Sequence, residues 1–205
     1  MKSLKAILAV SISLICWAFT YLPGELQEVH FDIKPSSRLL LNGTSNINKF
    51  SCDCDNYNHS GKVVLEPSDK GYWQFHDAIL SVKVKSFDCG HSGINRDMGI
   101  ALKADKYPHI TISLKSLFHD NKLQSFHVGE KRDLHAIVDI ALAGTTKRTP
   151  IFVHVTRLSD NEYNISSEKE LYMSDFGVDP PTALFGLVKV NDLINISINL
   201  DMVTS

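Results

Sequence analysis

The chain has 205 residues, 21 of them basic and 23 acidic, for a net charge of −2, and 43% are hydrophobic. That is enough apolar material for one sizeable core, which excludes global disorder and fits a single domain. The near-neutral balance excludes a surface built to neutralise nucleic-acid phosphates. No Lys/Arg-rich run of the kind that holds a chain to a membrane surface is present either.

Met1–Thr20 differs from everything after it. Lys2 and Lys5 precede the uncharged, largely apolar run Ala6–Phe19. Its length suits the core of a signal peptide and falls short of the about 20 residues that span a bilayer. The pattern predicts export, with a leader over 1–20 and one domain over 25–205. Cleavage near Ala18 and Thr20, and an uncleaved anchor running on through Tyr21-Leu22, are the two alternatives. Ile15 is bulky where a lipidated Cys16 would need a small neighbour.

Short strands are expected at Val29–Ile33, Arg38–Leu41, Ile47–Cys54 and Lys62–Leu65. The third carries Cys52 and Cys54, two apart and therefore on one face. In an oxidising compartment either is expected to pair with Cys89, leaving one thiol over. The competing arrangement is a zinc site built from Cys52, Cys54, Cys89 and His91, although their spacing is tighter than in ordinary structural sites.

Strict alternation follows. Leu80, Val82 and Val84 share a face, as do Ile110, Ile112 and Leu114. Between these runs, Asn95–Ala104 has helical spacing at Met98, Ala101 and Leu102, with Asn95 as the expected cap and Tyr107-Pro108 as the stop. Then come Leu134, Ala136, Val138, Ile140 and Leu142, next Ile151, Val153 and Val155, and finally Ile194, Ile196, Ile198, Leu200 and Met202. One short helix among long antiparallel runs predicts an all-β fold, an up-and-down barrel of about eight strands, in which closure removes the exposed edges.

Four blocks carry a family resemblance. They are Asn42–Cys52 (NGTSNINKFSC), Val84–Gly90 (VKSFDCG), Asn95–Ile110 (NRDMGIALKADKYPHI) and Met173–Pro181 (MSDFGVDPP), the last followed by Gly186 and a closing β run. Together they resemble the YceI-like family of exported lipid- and polyisoprenoid-binding proteins over roughly residues 35–202. The resemblance implies a bacterial protein of the periplasm or cell exterior. It implies a lipocalin-like barrel whose lumen holds a long isoprenoid or other lipid chain, quinone-like ligands included. The cysteine pattern and the segment Glu25–Pro35 depart from the better-known members.

An isoprenoid tail has almost no polar atoms, so its site needs a continuous apolar wall, each buried CH2 contributing ~0.8 kcal/mol. The residues expected to form it are Leu80 and Val82, Ile112, Leu114 and Phe118, then Leu134, Val138 and Ile140. Val153, Met173, Phe176, Ile196 and Ile198 complete the set, and Phe185 is a further aromatic within reach. Pattern alone favours a solid core made of these same residues, in which case the protein acts through its surface as an envelope stress or interaction protein, and it is the resemblance that favours an open lumen. No nucleophile elbow, His-Glu-x-x-His pair or phosphate loop occurs, so a non-enzymatic role is expected, with no cofactor beyond a bound lipid. A monomer or a homodimer is expected.

Overall fold

The computed structural model describes residues 26–54, 59–68, 70–118 and 126–205. The expected leader, Cys16 within it, the Tyr21-Leu22 extension and the Asp120-Asn121 turn lie outside these residues. The chain runs β1 (Gln27–Ile33), β2 (Arg38–Ser45), β3 (Lys49–Cys54), β4 (His59–Ser68), β5 (Tyr72–His76) and β6 (Ile79–Lys83). It continues through α1 (Ser92–Ala101) to β7 (His109–Phe118), β8 (Lys131–Leu142), β9 (Thr145–Arg157), β10 (Glu162–Tyr172), β11 (Thr182–Ala183) and β12 (Val188–Thr204).

The strands form a ring. Pairing runs β1-β4-β5-β7-β8-β9-β10-β12, and β12 returns to β1, so eight strands close on themselves, all antiparallel. Two strands are long enough to serve two levels. β12 pairs with β1 through Met202–Thr204 and with β2 through Val190–Asn199, while β7 pairs with β5 at one end and β6 at the other. At the β2/β3/β6 level the ring is completed by Asp53 and Asp88, whose backbones exchange two hydrogen bonds of 2.9 Å.

β9 and β10 pair only through His154–Arg157 and Tyr163–Ser166. Where they part, the turn Met173–Phe176 packs against β9, β10 and β12 and fills the opening. Gly177 ends that turn in the left-handed region at φ 66°, a conformation glycine adopts without steric cost. Lys147 Nζ to Asp175 Oδ1 (3.0 Å) ties the turn to β9, and Asp192 Oδ1 accepts the Ser174 N–H (2.8 Å) and ties it to β12. Phe176 is 1% exposed there.

Three strands went unforeseen. β5 and β11 are short, and β10 hides its alternation because the inward series Tyr163, Ile165, Ser167, Lys169 and Leu171 is half polar. Ser167 is buried because its hydroxyl donates to the Phe152 carbonyl at 2.7 Å, which satisfies the group that burial would otherwise penalise. The helix begins three residues before Asn95. His91 caps it, its Nδ1 accepting from the Gly93 N–H at 3.1 Å, and Asn95 lies inside the first turn.

A β-bulge corrects one expected wall residue. The β7–β8 register slips between Leu114 and Ser116, so Ile110, Ile112 and Leu114 point inward but Leu117, not Phe118, continues that face. Phe118 pairs with outward His135 and lies exposed against Tyr72, ring centroids 5.6 Å apart. One extra residue reverses every later side chain in a strand.

Candidate functional site

At the β2/β3/β6 level the interior is open. A cavity of about 890 Å³ reaches the surface there, near the upper end of the ~300–1,000 Å³ typical of ligand sites. Its wall is built strand by strand: Leu41 from β2, Phe50 and Cys52 from β3, Ile110 from β7, Ile140 and Leu142 from β8, and Val190, Ile194 and Ile196 from β12. Met173 comes from the turn that fills the β9–β10 opening. A second, purely apolar void of about 20 Å³, no larger than one water, adjoins it. Leu41, Ile110, Ile140 and Ile196 border both, and Leu80, Val82 and Ile112 line the small one.

The polar lining sits at the mouth. Ser45 and Asn48 come from the β2–β3 turn, Thr182 from β11, and His91, Arg96 and Asp97 from α1 and its cap. Arg96 Nε and Nη2 both lie 3.3 Å from Asp97 Oδ1. α1 lies along this opening with Gly93, Ile94, Met98 and Ala101 toward the cavity, yet none of its residues is fully buried.

Other bonds hold the helix. Cys89, just before it, forms a disulfide with Cys52 of β3. The Asn95 side chain accepts from the Cys89 N–H at 2.7 Å and donates to Asp88 Oδ1 at 3.1 Å. That amide, together with the Gly90 N–H, holds the Asp88 carboxyl below its ordinary pKa. The disulfide decides between Cys52 and Cys54: Cys54 is buried outside it. It also stands against the Cys3His alternative, since a disulfide joins two of the thiolates that site needs and His91 caps the helix.

The expected wall residues therefore divide. Ile140, Met173 and Ile196 line the large cavity, and Leu80, Val82 and Ile112 the small one along with Ile140 and Ile196. Leu134, Val138, Val153 and Phe176 are buried but border neither, and Leu114 and Ile198 are half-buried and border neither. Phe185 borders the mouth while fully exposed. Reasoning from sequence missed the mouth-side residues from β2, β3 and α1, although the NGTSNINKFSC and NRDMGIALKA blocks contain them.

The sequence matches the family model of the YceI-like domain over residues 27–202, most of the chain. The chain belongs to the YceI-like family. Two solved structures share the fold. A polyisoprenoid-binding domain from Saccharophagus degradans, implicated in plant cell wall breakdown, is 14% identical with a TM-score of 0.62, covering 85% of this chain and 98% of its own. BcnA of Burkholderia cenocepacia is also 14% identical, with a TM-score of 0.58, covering 83% of this chain and 99% of its own. No curated protein matches this member of the family. At such identity the two neighbours agree with this YceI-like chain in the path of the backbone, and the cavity has to be read from its own side chains.

Proposed function

We propose that the protein binds one long apolar lipid, of the polyisoprenoid class, with its tail in the barrel and its polar end at the mouth. The observation that carries this reading is the sorting of the lining. Aliphatic and aromatic side chains form the wall inside, and Ser45, Asn48, Arg96 and Asp97 stand where the cavity meets solvent. A tail that strips water from such a wall gains affinity with every methylene, and Met98 and Met173 adapt to an irregular chain. The polyisoprenoid binding stated for the Saccharophagus degradans domain supports the same ligand class.

Carriage, storage or sequestration is the role that suits a site whose polar lining stands at its rim. The leader pattern supports action outside the cytoplasm, in the periplasm or beyond, where the Cys52–Cys89 bond persists. The test is native mass spectrometry of protein exported by a bacterial host and purified without detergent, before and after solvent extraction. A stoichiometric mass lost on extraction establishes the ligand. A single unliganded mass, together with failure to take up added polyprenyl lipid, overturns the reading.

A further inference from the structure

The mouth carries an apolar edge that stands exposed among the described residues. Phe185 is 110% exposed, Leu187 74% and Ile47 66%, three large hydrophobic side chains from two separate segments. They are held together. The Asn46 side chain donates to the Leu187 carbonyl at 2.9 Å and accepts from the Lys189 N–H at 2.8 Å, and the Asn46 N–H donates to the Lys189 carbonyl at 3.0 Å. These bonds fasten the turn bearing Ile47 to the segment bearing Leu187, and Ile47 and Phe185 both border the cavity.

The display is forced on the backbone. Phe185 has φ 56°, in the left-handed region that bulky residues avoid, and Gly186 follows at φ 87°. A left-handed aromatic pointed wholly into water gains nothing from folding. Such strain at an exposed site is characteristic of function. Beside the edge, Lys49 and Lys189 alternate with the cavity-lining Asn48, Phe50, Val188 and Val190, so their side chains point outward. Both are exposed and neither makes an ion pair among the described residues, so two uncompensated cations flank three exposed hydrophobes. The lysines are far apart in sequence and come together only through the fold.

We infer that this edge docks on an anionic lipid surface, with Ile47, Phe185 and Leu187 entering the acyl boundary and Lys49 and Lys189 among the head groups. Aromatic and aliphatic insertion beside lysines is the chemistry of interfacial membrane binding. Docking sets the mouth against the bilayer, so an apolar tail passes from membrane to cavity without crossing water. The inference rests on the lipid-binding reading for its purpose, but not for its detection.

The test is flotation of the full protein with vesicles of phosphatidylcholine and phosphatidylglycerol, and with phosphatidylcholine alone. The protein is expected to float with the mixed vesicles, and far less with the neutral ones or in high salt. A Leu187→Ser/Lys189→Glu variant, neither position lining the cavity, is expected to lose about tenfold or more in vesicle affinity. It is expected to retain polyprenyl lipid loaded in solution, which also reports that it is folded. Phe185→Ser serves as the second variant for vesicle affinity. Absence of flotation, equal flotation of both variants and the intact protein, or self-association through this edge without flotation overturns the proposal. A protein that floats yet never holds lipid overturns the cargo reading and leaves docking standing.

Discussion

Cys89 is bonded to Cys52 one residue beyond the point where Asp88 and Asp53 exchange both of their backbone hydrogen bonds. The covalent link and the bridge lie on one seam, where β3 meets the segment leading into α1. Among the described residues nothing else joins these two stretches as strands. The helix at the mouth is thus anchored to the wall at its start by sulfur, while its own side chains bury little.

Reduction, or Cys89→Ser, is expected to lower stability by about 4 kcal/mol, the chain-entropy value for a loop closed across 37 residues. Denaturant titration with and without reductant measures it. Cys54→Ala is expected to leave the reductant-sensitive difference intact, and peptide mapping is expected to find Cys52 linked to Cys89. A reductant effect that vanishes in the Cys54 variant assigns the disulfide to the wrong cysteine.

Val138 and Ile140 are neighbours on one inward face of β8, and of the two Ile140 alone borders the large cavity and the small void beside it. Val138→Ala is expected to cost about 2 kcal/mol, two methyl groups plus the void they leave, with lipid retention unchanged. Ile140→Trp is expected to act in reverse, reducing retained lipid about tenfold or more, since excluding two methylenes is worth about 1.6 kcal/mol. Lipid loss in the first variant, or full retention in the second, places the cavity elsewhere.

Gly43 lies directly beneath the Phe50 ring across the β2–β3 ladder. A Cβ at that position would stand 2.3 Å from the ring's Cζ. Gly43→Ala is therefore expected to drive Phe50 from its place in the cavity wall. Lipid retention should fall together with a loss of about 1–3 kcal/mol, the range for overpacking. Phe50→Leu in the same background is expected to restore most of the stability, because the clash is with the ring.

Asp201 gives a pH signature. The Ser36 hydroxyl at 2.6 Å, and after it the Asn164 amide at 2.8 Å, hold its carboxyl below the ordinary range. A carboxyl lowered in the folded state contributes stability that is full above its unfolded value near pH 4 and is lost as pH falls through the lower folded value. Acid unfolding of Asp201→Asn is expected to show a shallower slope below about pH 4 than the parent. Equal slopes exclude Asp201 as a contributor.

Ring, helix and mouth were legible to different degrees. Long alternating runs such as Ile194–Met202 announced β12 because both its faces obey one period. β10 escaped because Ser167 and Lys169 occupy its inward face, and burial of the serine depends on a carbonyl from β9 that no local pattern contains. Phe118 was misplaced by a bulge at Lys115, which costs the sequence nothing visible. The choice between Cys52 and Cys54 depended on which one the Asp53–Asp88 bridge sets beside Cys89, a matter of long-range register. The edge at Phe185 was hidden for the opposite reason, since exposure of a phenylalanine is what composition argues against.

β12 carries a consequence for how the molecule is made. It is hydrogen-bonded to β10 along that strand's whole length, to β2 above and to β1 below. Until it arrives, β10 has no partner over most of its length, β2 lacks a neighbour on one side, and the ring stays open at both levels. Assembly by successive addition of hairpins therefore cannot yield a closed intermediate. The decisive contacts link segments more than 150 residues apart, as Leu41 to Ile196 and Phe31 to Thr204. Such a topology favours slow, late and concerted closure.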